Sequence, residues 1–198
     1  MTKLEVARRQ LGMALDLFLR DLDPVSVHCL TCGAGEILDF LAADAGTEPF
    51  SAHIVDTHPG TDVFKIKKLR NQYWNAFKHA TSRVGKAQED EELLAAFSDD
   101  QNDHSLYIGW HDYHQVTKRL PIAAQVFQAW YYVVYQDKLS PEADIGPALK
   151  IFPEFTSIPR NIRKLRLKRA IESYENHPEL IKDPKTESLP LITRIRHS

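Results

Sequence analysis

Residues 66–80 carry apolar side chains at helical spacing, and this pattern constrains the fold more tightly than any other feature of the chain. At about 100° per residue, one side of such a helix is apolar, as expected of a face that enters a core. The side chains on that face are Ile66, Leu69, Tyr73, Phe77 and Ala80. The polar row opposite them consists of Lys68, Gln72, Asn75 and His79. This row is therefore either exposed to solvent or part of a binding site or an interface.

The same period recurs along the chain and predicts an all-α fold, an up-and-down bundle of about five helices. The predicted helices cover residues 3–22, 24–43, about 61–84, 103–119 and a stretch that begins at Pro121. The stretch after Pro121 is apolar almost all round, which predicts a central helix, with a strand as the alternative for Trp130–Tyr135. Residues 46–61 contain two glycines and two prolines without a sustained period, which predicts a surface loop.

The chain of 198 residues is long enough for one well-buried core and too short for two. Residues 1–138 are predicted to form the bundle domain. Residues 139–177 are predicted to form an extension with an irregular Pro-rich segment and a C-terminal helix, packed back through Ile151, Phe152 and Phe155. Residues 178–198 are predicted to be a loosely held tail.

Composition and cysteine content restrict the cellular setting and the chemistry. The two cysteines cannot form a disulfide framework, and there is no signal peptide or 18-residue apolar run, so we expect a cytoplasmic protein without membrane contact. The formal charge of −2 gives no global basic signature, and contact with nucleic acid would need a local patch. Gly-rich phosphate loops, nucleophile elbows and paired carboxylates are absent from the sequence, so no cofactor is expected.

Two short motifs resemble a known group of proteins. Residues 23–28, Asp-Pro-Val-Ser-Val-His, and residues 75–80, Asn-Ala-Phe-Lys-His-Ala, resemble uncharacterised bacterial proteins with an Asn-x-Phe-Lys-His-Ala signature. These proteins are in turn similar to the HEPN superfamily of small helical bundles, and the resemblance covers roughly residues 1–135. It implies a HEPN-like fold and a homodimer. The HEPN members that are ribonucleases carry an Arg, a following polar residue and a His four to six positions later, usually at a dimer interface.

Arg70 and Asn71 match the opening pair of that motif, and His79 follows Arg70 nine residues later. This separation places Arg70 on roughly the opposite side of the helix from His79. Metal-independent RNA cleavage needs groups that take and give protons beside the phosphate, together with positive charge. His79 could transfer protons, Asn75 could orient it, and Lys68 and Arg70 could supply charge. The alternative is that Asn75 and His79 hold a neighbouring helix or a dimer partner by hydrogen bonds.

Two groups of histidine and cysteine side chains are candidate metal ligands. The first is His28, Cys29 and Cys32, which contains only one cysteine pair. The second consists of His104, His111 and His114, which lack the glutamate of a metalloprotease helix. Because apolar and aromatic neighbours favour a core position for both groups, no metal site is predicted.

Residues 160–169 contain six basic residues in ten, which predicts a positive helix able to contact phosphates. Arg163, Lys164 and Arg166, together with Lys68 of the earlier polar row, are the predicted nucleic-acid contacts. The alternative is internal pairing with the acidic residues 88–103. The sequence is therefore compatible with two functions. One is a binding or structural module, expected to be a homodimer, and the other is a HEPN-type ribonuclease or RNA-binding protein.

Overall fold

The computed structural model describes residues 1–57, 62–81, 90–140, 142–155 and 157–193, and within these residues there are ten α-helices and no β-strand. The predicted all-α fold is confirmed. The helices are α1 (Lys3–Leu19), α2 (Pro24–Asp44), α3 (Phe50–Thr57), α4 (Val63–Lys78), α5 (Glu91–Ala95), α6 (Asp100–Thr117), α7 (Ile122–Val134), α8 (Gly146–Ile151), α9 (Arg160–Tyr174) and α10 (Pro178–Lys182). Six of those described have 13 or more residues; five of these lie within residues 1–138, and the sixth, α9, lies in the predicted C-terminal extension.

The core lies between α1, α2, α6 and α7. Helix α2 packs against α1, α6 and α4, whereas α7 packs on α8 and α9. Phe18 of α1 contacts Phe127 and Trp130 of α7 edge-on, with ring centroids 5.8 and 6.0 Å apart. Aromatic residues bury the largest apolar areas, so these three rings join α1 to α7 within the core. Helix α7 is continuous over Ile122–Val134, so the strand alternative for Trp130–Tyr135 is wrong.

Helix α2 has 21 residues, and the mean hydropathy of its most apolar 18-residue window is 1.3. By length and composition alone, it could cross a bilayer. Its N-terminus follows from the local sequence, since the Asp23 carboxylate accepts hydrogen bonds from the amides of Val25 and Ser26 and Pro24 occupies the first turn. Packing against α1, α6 and α4 buries one side of α2, as in the central helix of a bundle. Helix α7, predicted to be central, has no exposed residue over Ile122–Val134, so both helices lie inside the bundle.

The loop predicted over residues 46–61 is partly wrong, because Phe50–Thr57 form α3. The amide of Phe50 at the first turn donates to the carboxylate of Asp112 on α6, at 2.7 Å. The Phe50 ring also meets the Tyr107 and His111 rings, with centroids 5.6 and 5.1 Å away. The residues that cap α3 and pack against it lie on α6, far from α3 in the sequence. The apolar pattern of residues 50–57 therefore does not reveal them.

The described part of the tail, residues 178–193, contacts α1 through several hydrogen bonds. Arg8 of α1 is buried, and its Nε donates to the Glu187 carboxylate at 2.9 Å. Its terminal nitrogens donate to the carbonyl oxygens of Pro190 and Leu191 at 3.0 and 2.9 Å. A Cβ at Gly12 would lie 2.2 Å from the Leu191 oxygen, so only glycine lets the tail approach α1 this closely.

The segments on either side of α4 also differ from the predicted bounds. Helix α4 ends at Lys78, before the predicted end at about residue 84, and residues 82–89 lie outside the described ranges. Residues 91–95 form the short helix α5 inside the acidic stretch, and α6 begins at Asp100. In the extension, Phe152 and Phe155 are buried and Ile151 is half-buried.

Replacing Glu187 by alanine should lower the free energy of unfolding by about 3 kcal/mol, because Arg8 would remain buried without its counter-charge. Urea unfolding followed by circular dichroism measures this change. The matched control is Glu179→Ala, which removes an exposed carboxylate from the same tail. A similar small effect of both substitutions would show that the tail contributes little to stability.

Candidate functional site

Helix α4 carries the polar row singled out in the sequence, and both of its ends are defined in the structure. The Asp62 carboxylate accepts the amide of Lys65 at 2.7 Å, which caps the N-terminus. At the other end the amide of His79 donates to the Asn75 carbonyl at 3.0 Å, and the backbone of His79 is already extended. His79 thus occupies the last hydrogen-bonded position, and its side chain leaves the helix beside solvent.

An ion pair attaches α4 to α2. Arg70 donates to Asp39 through both terminal nitrogens, at 3.3 and 2.7 Å, and the two side chains are only 9% and 11% exposed. Burial opposes the charge on Arg70, but the hydrogen bonds and charge of Asp39 outweigh it and raise the Arg70 pKa. The Nε of Arg70 donates to the Asn71 side chain at 3.3 Å. The guanidinium predicted to assist catalysis is therefore occupied in holding two helices together.

The polar row is divided by the fold. Lys68, Asn75 and His79 are exposed, and Gln72 is half-buried. Lys78 lies over the Trp74 ring, 3.4 Å from its centroid, as a cation–π contact. The predicted apolar stripe opposite is also divided. Ile66 and Tyr73 are buried and Phe77 is half-buried, but Leu69 is 56% exposed and Ala80 lies beyond the helix.

Sequence reasoning missed two exposed phenylalanines close to this row. Phe64 on α4 is 79% exposed, and Phe40 on α2 is 67% exposed. A groove of about 370 Å³ between the two helices is lined by Glu36, Asp39, Phe40, Lys67, Arg70 and Asn71. We call the surface formed by Glu36, Phe40, Phe64, Lys67 and Lys68 the α2/α4 face. The sequence feature that could have revealed these exposed phenylalanines is that both lie off the apolar stripes of their helices.

His28 of α2 is buried under the inner side of α4. Its Nδ1 lies 3.1 Å from Oδ1 of Asn102, and its ring meets the edges of Tyr73, Phe77 and Phe97 at centroid distances of 6.0, 5.8 and 5.4 Å. Burial lowers the pKa of His28, and the hydrogen bond that its Nδ1 donates to Asn102 opposes this only in part. The imidazole is therefore neutral at physiological pH.

The cysteines beside His28 are not poised for ionisation. Burial raises the pKa of Cys32 to about 12, and burial also raises that of Cys29. A thiol with a raised pKa is a poor nucleophile and a poor metal ligand. Within the described ranges, no three His, Cys, Asp or Glu side chains converge as a metal site would require.

The histidines of α6 are separated by their partners. Nδ1 of His104 lies 2.8 Å from the Tyr131 hydroxyl, and burial lowers the pKa of His104 to about 4. Nδ1 of His111 lies 3.3 Å from the Asp112 carboxylate. Burial, followed by the charge of His111, lowers the pKa of His114. These contacts are those of histidines that pack and hydrogen-bond within the fold.

The basic helix α9 uses two of its charges internally. Arg160 binds both carboxylate oxygens of the buried Asp103, at 2.6 and 2.8 Å, and reaches Asp99 at 2.7 Å. Lys164 is buried and donates to Asp21 at 2.5 Å and to Asp99 at 2.9 Å. The internal alternative from the sequence therefore applies to both residues.

Other residues of α9 remain outside. Arg166 is exposed, Arg163 is half-buried, and Lys168 and Arg169 are exposed. Lys164, Leu167 and Ile171 are the buried residues of this helix, whereas Ile162 and Leu165 are 38% and 42% exposed. Helix α9 packs mainly on α7 and α1, and α4 packs mainly on α2 and α3.

Replacing Asp39 by alanine should loosen α4, because Arg70 would be left buried without a partner. We expect hydrogen exchange of the α4 amides to be faster by roughly a hundredfold, equivalent to about 3 kcal/mol. The control is Asp44→Ala, an exposed carboxylate at the end of the same helix. Unchanged exchange in Asp39→Ala would contradict the anchoring role.

Stability should fall between about pH 6.5 and pH 4. The folded-state pKa of His104 is lowered to about 4, mainly by burial, so in this interval the unfolded chain binds the proton and the folded chain does not. The free energy of unfolding therefore decreases as pH falls through this window and is unaffected by His104 above it. Urea unfolding should show a smaller loss in His104→Gln than in wild type, and parallel losses would contradict the assignment.

The chain was also compared with known proteins. No protein-family model, curated protein or solved structure matches it. The HEPN resemblance stays a prediction from the motifs at residues 23–28 and 75–80, and the function has to be argued from the geometry of the chain itself.

Proposed function

We propose that this protein is a homodimeric helical binding module, related to HEPN bundles and acting in the cytoplasm, and that it associates through the α2/α4 face. The observation that carries the proposal is the pair of exposed phenylalanines, Phe40 and Phe64, on two helices joined by the Arg70–Asp39 ion pair. Aromatic residues exposed on a rigid surface are typical anchors of protein interfaces.

The charges on this face fit a second copy of the same surface. Glu36 is exposed on α2, and Lys68 is exposed on α4. In a two-fold symmetric interface, Glu36 of each protomer would face Lys68 of its partner. One patch can therefore supply both signs of charge. The phenylalanines would then lie at the centre and the charges at the rim, as in interfaces of known structure.

The position of His79 is compatible with this arrangement. Its exposed side chain lies at the end of α4, one turn from Asn75, where it can bind a partner across the interface. The motif resemblance also supports dimerisation, because the HEPN motif is usually found at a dimer interface.

RNA is the second candidate ligand. The supporting observation is that Lys68, Asn75 and His79 are exposed along α4, close enough in sequence to follow a phosphate backbone. Cleavage in this proposal would use His79 and Asn75 without Arg70 of the same chain, because Asp39 holds that guanidinium.

Light scattering of the purified protein should give the mass of a dimer. Phe64→Glu, and the double variant with Phe40→Glu, should give a monomer with an unchanged circular dichroism spectrum, because a buried unpaired carboxylate opposes association. Leu189→Glu is the control, since Leu189 is an exposed apolar residue of the tail. A monomeric wild-type protein would overturn the dimer proposal.

Incubation with single-stranded and transfer RNA in EDTA should leave the RNA intact if the chain is a binding module. Cleavage by wild type that is lost in His79→Ala, with the dimer preserved, would replace the binding proposal by the ribonuclease. RNA binding without cleavage would identify RNA as the ligand of the module.

A further inference from the structure

A cavity of about 360 Å³ lies on the inner side of α4, away from the α2/α4 face. It is bounded by α2, α4, α6 and Ile54 of α3. Its wall is mostly apolar, with isoleucine and leucine side chains, and its polar members include His28, Tyr73, Gln101 and His104. A volume of about 300 Å³ or more, with apolar walls and a few polar groups, is characteristic of small-molecule sites.

One polar atom of this wall has no partner. His28 is 2% exposed, and its Nε2 is buried without a hydrogen bond to any of the described residues. Leaving a buried polar atom unpaired costs about 1–3 kcal/mol. Nδ1 of the same ring is held by Asn102, and the His28 ring lies in the wall of the cavity.

The hydrogen bonds around Asn102 define the protonation of His28. The Asn102 amide nitrogen donates to the Pro24 carbonyl at 3.0 Å and to the Asp99 carboxylate at 3.1 Å, which leaves Oδ1 towards His28. Oδ1 can only accept, so Nδ1 of His28 carries the proton and donates it. Because the ring is neutral, Nε2 is a bare hydrogen-bond acceptor that needs a donor.

The cationic side chain of the cavity wall, Arg70, and its second histidine, His104, already have partners. Arg70 is paired with Asp39. His104 contacts the Tyr131 hydroxyl through Nδ1, and Lys138 Nζ lies 3.5 Å from its Nε2. An ionic ligand would therefore enter an apolar space without a free counter-charge, which is strongly unfavourable.

We propose that this cavity binds a small, neutral aromatic molecule that donates one N–H or O–H hydrogen bond to Nε2 of His28. The apolar wall would cover the body of the ligand, and Tyr73, which lines the cavity and contacts the His28 ring edge-on, would offer an aromatic surface. This site is separate from the α2/α4 face and does not depend on dimerisation.

Indole and benzofuran are matched probes, because they have the same bicyclic shape and only indole has an N–H donor. Titration of isotopically labelled protein, followed by NMR, should show indole bound about tenfold more tightly than benzofuran. Indole should also shift the His28 Nε2 nitrogen resonance, which reports directly on hydrogen-bond acceptance. Equal affinities with an unshifted resonance would overturn the proposal, as would the absence of binding by either probe.

Two variants test the location. Leu69→Trp places a large side chain at a partly exposed position of the cavity wall and should abolish binding of both probes. Lys65→Trp is the control, since Lys65 is exposed on the same helix, does not line the cavity and lies outside the α2/α4 face. His28→Leu should reduce indole affinity to that of benzofuran. Should His28→Leu fail to fold, the two α4 variants and the nitrogen resonance still decide the outcome, and indole binding that persists in Leu69→Trp contradicts the site.

Discussion

The ion pair between Arg70 and Asp39 is the interaction on which the other functional features depend. It joins the middle of α4 to α2, and on one side of that junction are the His28 ring and the cavity. On the other side are the groove and the two exposed phenylalanines of the α2/α4 face. A buried pair of this kind adds little net stability over apolar residues, but losing one partner is costly. Its role is therefore to fix the position of α4 on the bundle.

Several basic residues of this chain act inside the fold. Arg8 holds the tail on α1, Arg160 and Lys164 hold α9 on the start of α6, and Arg70 holds α4 on α2. Each pair joins segments that are distant in sequence. Long basic side chains suit this use, because their apolar stems pack while the charged ends reach a carboxylate. Conversely, the aromatic residues Phe40 and Phe64 lie outside, where they are available to a partner.

The sequence predicts well those elements whose determinants are local. The boundary between α1 and α2 follows from Asp23 and Pro24, and the all-α class follows from the helical period. Helix α3 could not be predicted in this way, because its first amide is capped by Asp112 of another helix. The ordered tail depends on Glu187 meeting Arg8, a contact 179 residues apart in the chain.

In the candidate site, too, the sequence predicts the features with local determinants but not those that depend on distant residues. The wheel placed Lys68, Asn75 and His79 on a shared polar row, and all three are exposed. It also placed Arg70 away from His79, but periodicity alone does not show that Asp39 is the partner of Arg70. The exposure of Leu69 and the unpaired Nε2 of His28 depend on which helices lie next to α4, and this information is tertiary.

A double-mutant cycle on Arg70 and Asp39 tests the central claim most directly, with the free energy of unfolding measured in urea. We expect Asp39→Leu to cost about 3 kcal/mol, because it leaves Arg70 buried without a counter-charge, and Arg70→Leu to cost less, because Lys67 still pairs with Asp39 at 3.2 Å. The double variant should recover most of that loss, since two apolar side chains replace the pair. Losses that simply add in the double variant would show that the two residues act independently and that α4 is held by other contacts.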